Sequence, residues 1–122
     1  MPEHDRRTIA LPGYFPDIVC LCGSTRFMDV FQSVGWQLTL DGYIVLTVGV
    51  CKHVEDHAGE ALGQEVADKL DELHKRKIDL ADWVVVLNPG GYIGDSTRGE
   101  IAYAREVGKS VVFLESKEEH DD

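Results

Sequence analysis

The sequence has no apolar run long enough for a membrane. Its longest runs, such as Trp83 to Leu87, are strand-sized, far below the roughly 20 residues that a spanning helix needs. It is also short of positive charge. Against 22 Asp and Glu stand only 12 Lys and Arg, a formal net charge of −10. A nucleic-acid backbone demands a basic surface, so nucleic acid is excluded as the main partner. A small anionic ligand is not excluded, because it needs only a helix N-terminus or one or two arginines. Cysteine is scarce and odd in number. Of the 3 cysteines, Cys20 and Cys22 fall inside an apolar run, which favours reduced thiols of a cytoplasmic protein over a disulfide framework. Residues 1–16 carry no apolar h-region and are read as a leader segment rather than a secretion signal. Pro12, Gly13 and Pro16 break that leader, with room for a short extra strand at Thr8 to Leu11.

What is present fits one domain. A chain of 122 residues, with 43% hydrophobic and 28% charged residues, can build a single core and not two. Residues 17–115 form the expected domain, and the acidic residues 116–122 a solvated tail. Asp17 to Cys22 reads as a buried strand that stops at Gly23-Ser24-Thr25, which is turn and helix-cap chemistry. Phe27, Phe31, Val34 and Leu38 then recur with helical spacing until Asp41-Gly42. Tyr43 to Thr47 gives a second strand and Val48 to Glu60 a loop. The next helix, to about Leu80, carries Leu62, Val66, Leu70 and Leu73 on one face, with exposed ion pairs Asp71 to Lys75 and Glu72 to Arg76. Trp83 to Leu87 is the third strand, Thr97 to Val107 the third helix with Gly108 as its stop, and Ser110 to Leu114 the fourth strand. This alternation predicts an α/β fold of Rossmann or flavodoxin type, a three-layer open parallel sheet of four to five strands in the order 2-1-3-4. Winding then reverses between strands one and three, and a ligand crevice opens where those two strands end.

Two loops meet at that crevice. Gly23-Ser24-Thr25-Arg26 offers backbone N–H groups, hydroxyls and a guanidinium to a phosphate, or else caps a helix and leaves Arg26 solvated. In the second loop, Asn88 to Glu100, the glycines at 90, 91 and 94 let backbone approach a ligand. Ser96 and Thr97 sit at a helix N-terminus and Glu100 projects from its first turn. That carboxylate can serve as nucleophile or base, or hold a sugar hydroxyl. Thr97-x-x-Glu100 also reads as a capping box that uses Glu100 only to satisfy a backbone donor. Cys51, His53 and His57, with Glu55 and Asp56 between them, lack convincing metal-ligand spacing, and no metal or other cofactor is expected. His74 to Lys77 form a basic cluster near the end of the second helix, read as solvated unless that end reaches the crevice.

Cys22-Gly23-Ser24-Thr25-Arg26, Ala81-Asp82-Trp83-Val84-Val85-Val86 and Gly99-Glu100-Ile101-Ala102-Tyr103-Ala104 with Gly108-Lys109 together resemble the nucleoside 2-deoxyribosyltransferase superfamily, including its deoxynucleotide N-hydrolases. The resemblance runs from about Val19 to Leu114. It implies that Gly23, Ser24 and Arg26 bind the 5′ end of a nucleotide and that Glu100 is the nucleophile on the sugar. His74 stands where the family carries an aspartate, and Cys20 where it often has an aromatic hydroxyl. Leu73-His74-Lys75-Arg76-Lys77 with Asn88-Pro89-Gly90-Gly91-Tyr92-Ile93-Gly94 and Glu100 is similar, in addition, to the LOG-type phosphoribohydrolases. In this chain Asp95-Ser96 follows Gly94, which departs from their signature. Both families cleave the N-glycosidic bond of a nucleoside or nucleotide. The expectation is such a cleavage or transfer, with His74 donating a proton to the leaving base, Asn88, Gly90, Gly91 and Ser96 around the ligand, and Tyr92 over the base. The resemblance also implies a homodimer. A nucleotide-binding sensor without turnover is the alternative.

Overall fold

The computed structural model describes residues 15–49 and 58–116. The strand expected at Thr8 to Leu11, the group Cys51, His53, Glu55, Asp56 and His57, and residues 117–122 of the tail lie outside the described residues. In chain order the elements are β1 (Ile18–Gly23), a 3-10 turn (Thr25–Phe27), α1 (Met28–Leu40), β2 (Ile44–Leu46), α2 (Ala58–Leu80), β3 (Trp83–Leu87), a second 3-10 turn (Pro89–Gly91), α3 (Asp95–Glu106) and β4 (Ser110–Phe113). The four strands form one parallel sheet in the order β2-β1-β3-β4.

The two central strands are apolar throughout because both of their faces are covered. Side chains alternate along a strand, so each central strand feeds two cores. Ile18, Cys20, Cys22, Val84 and Val86 point to one face, where Ile78 near the end of α2, Ala81 just after it, and Ile101 and Ala104 of α3 cover them. Val19, Leu21, Val85 and Leu87 point to the other and meet Phe31 of α1, with Val34 and Leu38 packed alongside. The three layers are thus α1, sheet, and α2 with α3. β1 and β3 pair from Val19 opposite Trp83 to Gly23 opposite Leu87. At the last of these pairs a side chain will not fit, since a Cβ on Gly23 would lie 2.9 Å from the Leu87 carbonyl oxygen.

Two elements depart from the sequence reading. The helix after the Val48 loop starts by Ala58, and its backbone leaves helical geometry at Gly63 (φ 81°, ψ 169°), a conformation open to glycine. On α2, Leu70 and Leu73 of the apolar stripe do not enter the core. Leu70 and Leu73 are about half exposed, at 50% and 54%, whereas His74 and Ile78 are buried. Glu72 pairs with Arg76 as expected, at 3.5 Å. α3 begins three residues earlier than the capping-box pattern suggested, with Gly94 in place of Thr97 as its N-cap and no side-chain cap.

Gly23→Ala should lower the unfolding free energy by about 1–3 kcal/mol, the usual cost of overpacking against backbone. An unfolding free energy from urea titration unchanged within about 0.5 kcal/mol would refute the close approach of the two central strands.

Candidate functional site

The crevice expected between the ends of β1 and β3 is present as a cavity of about 450 Å³, within the size range of small-ligand sites. Three walls enclose it. Gly23, Ser24 and Thr25 come from the end of β1, Gly94 to Thr97 and Glu100 from the start of α3, and Ala67, Leu70, Asp71, Leu73, His74 and Lys77 from α2. Val48 and Gly49, after β2, complete it. The half-exposed leucines of α2 are therefore cavity wall, which explains why their helical spacing did not lead to the core.

Two helical starts point into this space. The first turn of α3 has N–H groups without intrahelical partners, and its N-cap Gly94 supplies no side chain to satisfy them. The short turn after β1 is capped by Ser24, whose Oγ accepts from the Arg26 N–H at 3.3 Å. Ser96 Oγ donates to Asp71 Oδ1 at 2.9 Å, and Lys77 Nζ donates to the Thr47 carbonyl at 2.7 Å. These bonds tie α2 to α3 and to the end of β2. Of the basic cluster, His74 and Lys77 line the cavity. Their neighbours turn outward, Lys75 and Arg76 lying over the Tyr103 ring, because residues three apart share a helix face and their neighbours do not.

Beneath the cavity lies a buried polar cluster. His74 and Glu100 are 5% and 9% exposed, with Nε2 and Oε1 3.9 Å apart. His74 Nε2 also stands 3.1 Å from the Leu21 carbonyl oxygen, 3.6 Å from Cys20 Sγ and 3.5 Å from Cys22 Sγ. Both cysteines are free thiols, fully buried. Glu100 makes no helix cap, so the capping-box reading fails: Thr97 lies within α3, buried, and the Glu100 side chain turns to His74 and Cys22. Burial pushes the Glu100 carboxyl up to about 7, against the pull of His74 and of the hydrogen bond from Cys22. At His74 burial disfavours the charged form, but the hydrogen bond with Cys20 and the negative charges of Glu100 and Cys20 outweigh it, and the pKa is raised. The hydrogen bond from Cys22, aided by His74, brings Cys20 down to about 6 despite burial, while Cys22 as the donor is pushed up. Opposed protonation tendencies within one buried group of side chains are common at functional sites.

The remaining predicted site residues stand elsewhere. Arg26 lies over the Tyr92 ring at 4.3 Å, and Phe27 meets that ring edge-on at 5.8 Å, so these residues form a stacked group and none of them lines the cavity. Asn88 is fully buried and spent on structure. Its amide donates to the Glu115 carbonyl and accepts from the Glu115 N–H, both at 2.9 Å, clasping the end of β4. Gly90 N–H donates to the Glu115 carboxylate at 3.1 Å, and Gly91 N–H to the Asn88 carbonyl at 2.8 Å. Sequence reasoning missed Asp71 and Lys77 as cavity residues and the two thiols as partners of His74. For the thiols a signal existed, since residues two apart on a strand share a face.

No family model, curated protein or solved structure matches this chain. Fold and site define it as an open parallel α/β domain with a ligand-sized cavity at the point where its winding reverses. Among the described residues no helix is long and apolar enough to cross a membrane.

Asn88→Ala removes both arms of the Glu115 clasp and leaves the part-buried Glu115 backbone groups without these partners, at an expected cost of about 1–3 kcal/mol of stability. Denaturant unfolding measures it, and a neutral result would mean that the amide does not hold the sheet edge.

Proposed function

We propose that the protein cleaves or transfers the N-glycosidic bond of a nucleoside monophosphate or nucleoside, with Glu100 as the group that attacks or stabilises the anomeric carbon. One observation carries this reading: a buried carboxylate, 3.9 Å from a buried histidine, at the floor of a cavity of about 450 Å³. In this arrangement the phosphate lies toward the mouth, against the N–H groups of the Gly23 to Thr25 turn and of Ser96 and Thr97 at the start of α3. The sugar then reaches inward past Asp71, a carboxylate able to hold its hydroxyls, toward Glu100. An ionised carboxylate stabilises the oxocarbenium-like carbon that forms as the base departs. Departure is eased by a proton, and His74 is the neighbouring donor. Arg26 and Tyr92, stacked outside the cavity, serve this reading as a rim that a ligand projecting from the mouth would meet.

The same reading places the protein in the cytoplasm, where free thiols such as Cys20 and Cys22 persist. For the homodimer that the family resemblance implies, Trp36 and Leu40, one turn apart on α1 and 63% and 60% exposed, supply an apolar face.

Incubation with a panel of ribo- and deoxyribonucleoside monophosphates should release free base, measured chromatographically. Glu100→Gln should cut the rate by at least about 100-fold, the scale of losing a positioned acid, base or nucleophile. Tight nucleotide binding by the wild type with no base released from any member of the panel would overturn the reading in favour of a sensor.

A further inference from the structure

We propose that Cys20, Cys22 and His74 form a zinc site beneath the cavity, with its fourth coordination position directed at Glu100 and the cavity. The three donors come together from two elements. Cys20 and Cys22 are two apart on β1 and so share the sheet face that α2 and α3 cover, while α2 carries His74 onto the same spot. Their ligand atoms all lie within 4.8 Å of one another, and all three residues are buried.

The two nitrogen-to-sulfur distances match those of a tetrahedral ion. With Zn–S of about 2.3 Å and Zn–N of about 2.0–2.1 Å, sulfur and nitrogen on one zinc stand about 3.6 Å apart. The observed separations from Nε2 are 3.6 Å to Cys20 Sγ and 3.5 Å to Cys22 Sγ. An oxygen ligand on the same ion would stand about 3.3 Å from that nitrogen. Glu100 Oε1, at 3.9 Å, is just beyond this, in the place to accept a hydrogen bond from a water in the fourth position. In the metal-free protein Nε2 stands 3.1 Å from the Leu21 carbonyl, a hydrogen bond that zinc on Nε2 would replace.

Donor chemistry selects the metal class. Two thiolates and an imidazole suit zinc and are poor ligands for magnesium or calcium, which take oxygen. Binding takes both sulfurs as thiolates and fixes the imidazole proton on Nδ1, leaving Nε2 to the metal. In the zinc-bound form His74 is thus a ligand and no longer the proton donor of the proposed cleavage. A route in exists, since His74 and Glu100 line the cavity whereas the thiols lie below them. An apolar trio would fill the same volume without burying polar groups, and a bound cation is what turns this donor set from a cost into a gain.

The test uses the full chain, reduced and freed of metal by a chelator, and titrated with Co²⁺ as a spectroscopic stand-in. A thiolate-to-cobalt charge-transfer band saturating at one equivalent, and bleached by one equivalent of Zn²⁺, is expected. Zinc at about 100 times its Kd should raise the wild-type Tm by at least about 5 °C. Cys22→Ser and His74→Gln should each weaken binding at least tenfold, while Cys51→Ser leaves it unchanged. If Cys22→Ser does not fold, the wild-type titration and the His74→Gln and Cys51→Ser variants still decide. Absence of a charge-transfer band, or a band lost in Cys51→Ser and kept in His74→Gln, overturns the proposal. No nucleotide enters this titration, so its failure and a failure of base release are distinguishable.

Discussion

The reversal of winding between β1 and β3 is the constraint on which the rest depends. The chain leaves β1 toward β2 over one face of the sheet, then returns past β1 to β3 over the other. Right-handed crossovers permit no other assignment of helices to faces once that order is set. The connections after β1 and β3 therefore part, and neither can fill the gap between them. α2, which must cross from one edge of the reversal to the other, closes the gap from the side and brings His74 over the end of β1.

That placement explains the concentration of polar groups where a core would be expected. His74 and Glu100 are buried against two thiols and a carbonyl, so each finds partners inside the protein. Burial without partners would cost several kcal/mol per group. With partners the cluster is tolerated, and its protonation becomes sensitive to whatever enters the cavity above. Asn88 shows the contrasting solution. It too is buried, but both its amide atoms are bonded to Glu115, and it does not line the cavity.

Much of the fold was legible because it rests on local patterns. Unbroken apolar strands at Ile18–Gly23 and Trp83–Leu87, with helical periodicity between them, are enough to order the sheet. Periodicity could not say what an apolar stripe faces. Leu70 and Leu73 have the spacing of a core stripe yet border a cavity, and only the position of α2 beside the crevice reveals this. Thr97 and Glu100 likewise fit a local capping pattern, but Gly94 starts the helix and tertiary contacts claim both side chains. The site's two loops could be named in advance. The meeting of Cys20 and Cys22 with His74, more than fifty residues apart in sequence, could not, because it depends on how α2 packs.

The dependence of cavity chemistry on one shared buried environment is open to a direct measurement. A double-mutant cycle with His74→Gln, Glu100→Gln and the pair, read by urea unfolding, isolates the interaction between the two side chains. If they stand together as described, the cycle gives a coupling of at least about 0.5 kcal/mol. Additivity within about 0.3 kcal/mol would place the two residues in independent surroundings and contradict the site.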